Sequence, residues 1–122
     1  MSEVINYNDD CIFCRIIKGS IPSTKVYEDD MCYAFRDINP QAPTHILVVP
    51  KKHIQSCAEI DSENEAYVGH IFSVISKLAA EEGLVEKGFR VVSNAGPDAH
   101  QSVPHLHFHI LGGKDLGDKM GR

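Results

Sequence analysis

The stretch His105-Leu106-His107-Phe108-His109-Ile110-Leu111 alternates histidines with large apolar residues. Successive side chains of a β-strand point to opposite faces of a sheet, so the alternation predicts a strand from His105 to Leu111 with its three histidines on one face. A face that is merely solvated would mix lysine, glutamate, serine or threonine among the histidines, and none is present. Three imidazoles in a row favour one of two chemistries: they bind a metal ion, or one of them attacks an anionic substrate that its neighbours hold.

The segments around this strand predict an α+β domain. Further strands are expected at 25–28, 31–36, 45–49 and 89–92, and helices at 11–18 and 62–82. The strand at 45–49 is apolar almost throughout, which is typical of a strand in the middle of a sheet. Ser62 and Glu65 form a capping box at the start of the long helix. We therefore predict one long and one short helix on a mainly antiparallel five-stranded sheet.

Length and composition limit the classes of protein. A chain of 122 residues suits one domain, 1–122, in which we expect 1–10 to be flexible and 114–122 to form a polar tail. The net charge is −5 and no basic cluster is present, which excludes DNA and RNA as partners. Apolar runs are too short to span a membrane, and the N-terminus lacks a signal-peptide pattern, so we expect no membrane partner and a cytoplasmic protein.

Four cysteines are present, and a reducing compartment would keep their thiols free. Cys11 and Cys14 form a Cys-x-x-Cys pair, which by itself fits a redox pair, half of a zinc site or two buried thiols. The redox interpretation is disfavoured because the βαβ pattern of thioredoxin-like proteins is absent. A closed zinc site would need two further ligands. Cys32 and Cys57 match no motif and are interpreted as packing residues.

Several motifs outside the histidine strand extend the pattern over nearly the whole chain, from Cys11 to Gly113. They are Ile12-Phe13, Phe35-Arg36-Asp37-Ile38, Pro40-Gln41-Ala42-Pro43-Thr44-His45, Pro50-Lys51-Lys52-His53, Asn94-x-Gly96 and Gln101-Ser102-Val103. Together with the alternating histidines, these motifs resemble the histidine triad (HIT) family. The resemblance is to its Hint branch, the nucleoside phosphoramidate hydrolases, rather than to the larger dinucleotide-cleaving branch.

The resemblance implies a purine nucleoside phosphoramidate hydrolase that acts on substrates such as AMP-lysine or AMP-NH2. His107 matches the family's nucleophile, which attacks phosphorus and forms a nucleotidyl-histidine that water hydrolyses to release AMP. An imidazole suits this role because it is partly neutral at physiological pH, and in the family a backbone carbonyl of the strand fixes its tautomer. His109 and His45 match the histidines beside the phosphate, and Ser102 matches the serine that donates to the leaving group.

The resemblance also implies a binding site for a purine nucleotide, namely AMP, GMP or an adenosine phosphoramidate. Asp37 matches the acceptor for the ribose hydroxyls, and Asn94 matches an asparagine of the phosphate loop. Gln101 and Val103 belong to the nucleotide-binding segment before the histidine strand. The family's apolar purine pocket matches residues that would otherwise be interpreted as plain core: Ile12, Phe13, Ile16, Phe35 and Ile38.

A structural zinc ion is a further implication of the resemblance, with Cys11, Cys14, His53 and His105 as its ligands. Such an ion would lie outside the chemistry and tie the N-terminal helix to the histidine strand. The resemblance also implies a homodimer in which the two sheets join. The Trp-Pro motif that usually ends Hint chains is absent, since the sequence has no tryptophan, and this leaves the leaving-group preference open.

Two other functions stay open at this point. A metal-dependent hydrolase would hold zinc on the three strand histidines and keep one coordination position free for water. A purine-nucleotide-binding protein would use the same pocket with little turnover.

Overall fold

The computed structural model of the protein describes residues 10–120, which form two helices, five strands and two short 3-10 turns. The helices are α1 (Ile12–Lys18) and α2 (Glu65–Glu81), and the strands are β1 (Lys25–Glu28), β2 (Cys32–Arg36), β3 (Thr44–Pro50), β4 (Arg90–Val92) and β5 (Phe108–Gly112). The 3-10 turns are Cys57–Glu59 and Pro97–Ala99. All neighbouring strands are antiparallel, in the order β1-β2-β3-β5-β4, which confirms the predicted α+β class.

The two ends of the chain are only partly described. Residues 1–9 of the segment expected to be flexible, and residues 121–122 of the expected tail, lie outside the described residues. Residues 114–120 form neither helix nor strand. Within the described part of the chain, neither helix combines the length and the apolar character that crossing a membrane demands.

Strand β3 occupies the middle of the sheet, as its apolar sequence predicts. It pairs with β2 along one edge and with β5 along the other. Ile46 and Val48 pack in the cluster that contains α2, whereas Leu47 and Val49 pack in the cluster that contains α1. Both faces of β3 are therefore covered, which explains why its residues do not alternate between apolar and polar.

Helix α2 covers one face of the sheet with the apolar side that its sequence predicts. Ile71, Val74, Ile75 and Leu78 are buried against the apolar residues of β5 and β3. Fully burying an aliphatic side chain of this size stabilises the fold by roughly 1.5–3 kcal/mol. This layer is the support on which β5, the strand with the histidines, is held.

Helix α1 covers only part of the opposite face. Phe13 packs edge-to-face on Phe35, with ring centroids 5.6 Å apart, and Ile16 is buried in the same cluster. The helix ends at Gly19, whose left-handed φ of 90° lets its N–H bond the carbonyl of Ile16. Because α1 has only 7 residues, it leaves the remainder of this face to the histidines.

The histidine strand is shorter than predicted, because β5 begins at Phe108 and not at His105. The register between β3 and β5 places Leu106 opposite Pro50, which has no N–H to continue the ladder. The N–H of Leu106 instead donates to the carbonyl of Ile54 at 2.6 Å. The alternation of faces nevertheless persists, since Leu106 is buried in the α2 cluster with Phe108.

The capping box predicted at the start of α2 is wrong. Helix α2 begins at Glu65 with Asn64 as its N-cap, and Ser62 lies in the turn before it. The carboxylate of Asp61 accepts the N–H of Glu63 at 2.9 Å, and the Asn64 side-chain oxygen accepts the N–H of Asp61 at 2.9 Å. An aspartate one residue earlier therefore takes the role assigned to the serine, because Asp competes well for exposed N–H groups at helix starts.

The two cysteines interpreted as packing residues differ. Cys32 is completely buried, as predicted, whereas Cys57 is exposed at the start of the 3-10 turn at 57–59. The prediction for Cys57 is therefore wrong, because the chain between β3 and α2 runs over the surface there.

Gly113→Ala is expected to lower the free energy of unfolding by about 2–3 kcal/mol. The position combines a left-handed φ of 92° with a new Cβ that would lie 2.9 Å from the Cβ of Pro43. Gly117→Ala is the matched control, because its φ is 78° but no heavy atom lies within 4 Å of the new Cβ. We expect about 1 kcal/mol for the control. Urea denaturation measures both losses, and equal losses would show that the contact with Pro43 contributes nothing.

Candidate functional site

The three histidines of the sequence motif enter three different environments. His105 lies against the thiols of Cys11 and Cys14, His107 lies against the ring of Phe13, and His109 lies against His45. The pattern therefore does not produce one row of equivalent imidazoles. Each ring has its own hydrogen bonds, and these bonds decide which nitrogen carries a proton.

His107 is held in one tautomer. Its Nδ1 lies 2.7 Å from the backbone carbonyl oxygen of His105, and only an N–H can donate to that oxygen. The proton of the neutral ring is therefore on Nδ1, which leaves the lone pair on Nε2. Phe13 packs edge-to-face on the ring, with centroids 5.1 Å apart, and only 3% of the residue is exposed. The lone pair is thus carried by a ring with little freedom to turn.

Burial lowers the pKa of His107 below its usual value, while its bond to the His105 carbonyl and the charge of Asp37 act in the opposite direction. Burial wins, so the ring is neutral at physiological pH. A neutral imidazole with a free Nε2 is a nucleophile. The carboxylate of Asp37 also favours any positive charge that the ring acquires on reaction.

His45 and His109 form a chain of donors that begins at the backbone. The N–H of Gln41 donates to Nδ1 of His45 at 3.0 Å, so the His45 proton is on Nε2. That nitrogen lies 2.9 Å from Nδ1 of His109 and 3.4 Å from a carboxylate oxygen of Asp37. Because Nδ1 of His109 accepts, the proton of His109 is on Nε2.

Burial and neighbouring imidazoles keep this pair uncharged. Burial lowers the pKa of His109 to about 4, with contributions from His107 and His45, and Asp37 opposes the shift. Burial also lowers the pKa of His45, again against Asp37. The rings of His107 and His109 meet edge-to-face at 5.1 Å. The site therefore presents one lone pair beside one neutral N–H donor, which suits attack on an electrophile whose oxygen needs a hydrogen bond.

The three strand histidines do not converge on a common point. In the described part of the chain, two groups of possible metal ligands contain a strand histidine: His105 lies with two cysteines and His53, and His109 lies with His45 and Asp37. None of these groups contains His107, whose Nδ1 is occupied by a backbone carbonyl. The geometry therefore favours a nucleophile over a metal held by all three rings.

Two cysteines and two histidines form a compact cluster beside this site. Nδ1 of His105 lies 3.3 Å from Sγ of Cys11 and 3.5 Å from Sγ of Cys14, and Nδ1 of His53 lies 3.3 Å from Sγ of Cys14. All four ligand atoms lie within 4.8 Å of one another. Nε2 of His105 donates to the carbonyl of Pro50 at 2.9 Å, so its Nδ1 lone pair faces the thiols. Two sulfurs and two nitrogens are a donor set that suits tetrahedral zinc.

The local sequence explains how the cluster forms. Cys11 is the N-cap of α1 and Cys14 lies in its first turn, where the Cys14 N–H donates to Sγ of Cys11 at 3.4 Å. Both thiols are thereby placed at one end of the helix. Burial lowers the pKa of His53, and it lowers the pKa of His105 to about 4. Both rings are neutral, which metal ligation requires.

The residues matched to a purine pocket are divided between core and surface. Phe13, Ile16 and Phe35 are buried together in the α1 cluster. Ile12 is 46% exposed and Ile38 is 98% exposed, so these two side chains present apolar surface to solvent. The exposed pair is the part of the set that is free to contact a ligand or a second chain.

The remaining matched residues lie in loops around the histidines. Asp37 and Asn94 are half-buried, and Ser102 is exposed. The side chain of Gln101 closes its own loop: it accepts the N–H of Gly96 at 3.0 Å and donates to the carbonyl of Val103 at 2.9 Å. Gln101 therefore shapes the loop that carries Ser102.

Sequence reasoning missed one residue that contacts the site. The hydroxyl of Ser93 donates to the carbonyl of His107 at 2.8 Å, which fixes the backbone of that histidine from the side of β4. Ser93 follows a three-residue strand and belongs to no motif, so nothing in the sequence marks it. The alternation along β4 and β5 is too short to predict which residue reaches that carbonyl.

A cavity of about 620 Å³ lies away from the histidines, between the end of α2, strand β4 and the C-terminal segment. Its lining includes Leu84, Phe89, Arg90 and residues 113–117. It contains none of the residues discussed above as reactive groups or metal ligands.

At neutral pH, His107 is expected to carry its proton on Nδ1, whereas His45, His105 and His109 carry theirs on Nε2. Two-bond 15N–1H correlation spectra of protein with labelled histidines measure these tautomers directly. The exposed His100 is the internal control, for which we expect a mixture of both forms. A proton on Nε2 of His107 would contradict the arrangement, because it would remove the lone pair.

Comparison with known proteins identifies the family. Residues 18–116 match the profile of the HIT domain. The purine nucleoside phosphoramidase of Escherichia coli K12 is 44% identical over 109 residues, which cover 89% of this chain and 92% of that protein. A histidine triad protein from Clostridium difficile superposes with a TM-score of 0.88 at 55% identity, covering 92% of this chain and 97% of that one. A HIT family hydrolase from Clostridium thermocellum gives a TM-score of 0.90 at 45% identity, covering 93% and 98%. The chain therefore belongs to the HIT family.

Proposed function

We propose that the protein hydrolyses purine nucleoside phosphoramidates, such as AMP-lysine or AMP-NH2, through a covalent nucleotidyl-histidine on His107. The observation that carries the proposal is the 2.7 Å bond from Nδ1 of His107 to the carbonyl of His105, which leaves Nε2 free. The relative from E. coli, 44% identical, is named a purine nucleoside phosphoramidase, which supports the same substrate class.

In the first step, the lone pair on Nε2 of His107 attacks phosphorus and the phosphorus–nitrogen bond breaks. The leaving amine takes its proton from the hydroxyl of Ser102, and Nε2–H of His109 donates to a non-bridging phosphate oxygen. His107 becomes a positively charged nucleotidyl-imidazolium whose Nδ1–H stays on the His105 carbonyl. The carboxylate of Asp37, which already opposes the lowering of the His107 pKa, stabilises that charge.

In the second step, water attacks phosphorus, its proton returns to the oxygen of Ser102, and the bond to Nε2 of His107 breaks. The imidazole leaves as a neutral ring in its starting tautomer, and AMP is released. Splitting the displacement in this way replaces one hard step by two easier ones. His45 keeps Nδ1 of His109 occupied, so that His109 always offers a donor to the phosphate.

The nucleotide lies across the mouth of this site. Asp37 accepts from the ribose hydroxyls and Asn94 contacts the phosphate from its loop, with Gln101 and Val103 shaping the segment beside it. The purine packs on the apolar residues Ile12, Phe13, Ile16, Phe35 and Ile38. The exposure of Ile12 and Ile38 supports this arrangement, because apolar side chains left in water are available for a base.

A structural zinc ion fits the cluster of Cys11, Cys14, His53 and His105. When bound, the ion supplies cross-linking and takes no part in the reaction. It would fix His105, whose carbonyl sets the tautomer of His107, and hold the end of α1 next to Phe13. We place the protein in the cytoplasm, where thiols stay reduced and able to bind the metal.

We also propose a homodimer in which two sheets join through β4. Among the described strands, β4 pairs only with β5, so its outer edge faces no other strand of this chain. Val85 and Phe89, which precede the strand, are 61% and 36% exposed. Burying these side chains against a partner would add apolar contact to the backbone pairing.

His107→Ala is expected to reduce turnover of an AMP phosphoramidate by about 10⁴-fold or more, because the nucleophile is lost. Rapid quenching of the wild-type reaction, followed by peptide mass spectrometry, is expected to find one AMP group on His107 and none in the variant. Ser76→Ala, at an exposed position on α2 across the sheet, is the control and keeps wild-type turnover. Unchanged turnover in His107→Ala would reject the proposal, and tight AMP binding without turnover would favour a binding protein.

Removal of metal is expected to lower the thermal stability and leave the chemistry in place. The double variant Cys11→Ser/Cys14→Ser would lose zinc and several degrees of melting temperature, since structural zinc contributes directly to folding. Its turnover at a temperature where it is folded would fall by less than about 100-fold. Cys57→Ser, with an exposed thiol outside the cluster, keeps both zinc and stability. Complete loss of turnover in a folded, metal-free protein would favour a metal-dependent hydrolase.

A further inference from the structure

A further group of possible metal ligands lies on the side of the sheet that faces α2. Asp29 is in the turn between β1 and β2, Cys32 begins β2, and His70 is on α2. Their ligand atoms lie within 4.8 Å of one another. We propose that Asp29, Cys32 and His70 form a second site for a divalent transition metal ion of the zinc type, separate from the Cys11/Cys14/His53/His105 cluster.

Four hydrogen bonds hold the carboxylate of Asp29 in place. Its Oδ1 accepts the backbone N–H groups of Met31 at 2.8 Å and Cys32 at 3.0 Å. Its Oδ2 accepts the hydroxyl of Tyr27 at 2.8 Å and lies 2.5 Å from Nε2 of His70. The two backbone bonds fix the carboxylate independently of His70. Oδ2 therefore stays in place if the proton between it and the imidazole is exchanged for a metal ion.

Every proton is accounted for when a metal ion replaces the one between Asp29 and His70. The metal ion takes the position between Oδ2 of Asp29 and Nε2 of His70, and the His70 proton is carried on Nδ1. The thiol of Cys32 binds as a thiolate and releases its proton to solvent. The oxygen–nitrogen separation would open from 2.5 Å to roughly 3.3 Å, as tetrahedral bond lengths require. A small movement of the His70 ring accommodates this change.

The ligand types select the metal. One thiolate and one imidazole favour zinc, cobalt or copper over magnesium and calcium, which prefer oxygen ligands. Cys32 is fully buried, whereas the side chains of Asp29 and His70 are 24% and 34% exposed. The ion would therefore sit at the rim of the core. Three protein ligands leave a fourth position for water or an external ligand.

The two metal clusters lie back to back. Cys32 pairs with Pro50 across β2 and β3, and the carbonyl of Pro50 accepts Nε2–H of His105 from the first cluster. The first cluster belongs to the α1 side of the sheet, and Cys32 packs on the α2 side. No side chain is shared between the two sets of ligands, so each can be removed without the other.

Cobalt(II) titration of the metal-free, full-length protein tests the second site, with thiolate-to-cobalt absorbance and bound cobalt per chain as readouts. We expect His70→Gln to bind one cobalt equivalent fewer than the wild-type protein. Glutamine keeps an N–H donor for Asp29 and cannot replace the imidazole as a ligand. Cys32→Ser, a nearly isosteric change, is expected to lose the same equivalent together with part of the absorbance.

Cys57→Ser is the control, because it removes an exposed thiol and is expected to bind as much cobalt as the wild-type protein. Thermal melting of each metal-free variant checks that it is folded, and a folded Cys32→Ser keeps the test valid if His70→Gln does not fold. The proposal is overturned if a folded variant binds as much cobalt as the wild-type protein. In that case the three residues form only a hydrogen-bonded link between the hairpin and α2.

Discussion

The hydrogen bond from Nδ1 of His107 to the carbonyl of His105 is the contact on which the histidine site depends, because it decides which ring nitrogen keeps its lone pair. That carbonyl is itself positioned by the His105 ring, which is anchored to the Pro50 carbonyl on one side and to two thiols on the other. A chain of contacts therefore runs from the N-terminal helix, through the cysteine–histidine cluster, to His107. Phe13 contacts two members of this chain, since its ring packs edge-to-face on both His105 and His107.

The apolar core of the sheet offsets the free-energy cost of burying the histidines. The side of the sheet under α2 is a continuous apolar layer, in which Leu106, Phe108 and Ile110 are buried. The buried imidazoles are concentrated on the other side, where each is hydrogen-bonded, so the cost of removing their polar atoms from water is offset. A short helix on that side covers the sheet only in part, and His109 is half-buried there. One face of the sheet thus supplies the apolar core, and the other face carries the histidines.

Local pattern was enough to predict the five strands, the two helices and the division of the histidine motif between two faces. It was not enough to predict where β5 begins, because that depends on Pro50, which lies more than 50 residues away and has no N–H to offer Leu106. The same limit applies to Ser93, whose hydroxyl reaches a carbonyl on a neighbouring strand. Cluster residues that are close in sequence, such as Cys11 and Cys14, follow from helix geometry. Their histidine partners follow only from the family resemblance, since nothing local joins position 14 to position 53.

The donor that sets the tautomer of His45 is the backbone N–H at position 41, not a side chain. The orientation of that imidazole is thus encoded in the path of the chain and not in the identity of the residue that supplies the proton. Nineteen of the twenty amino acids at position 41 would supply this backbone N–H to His45. Only proline, which has no amide hydrogen, would abolish the hydrogen bond. A hydrogen bond made by the main chain in this way is not detected by sequence comparisons, which score the identity of side chains.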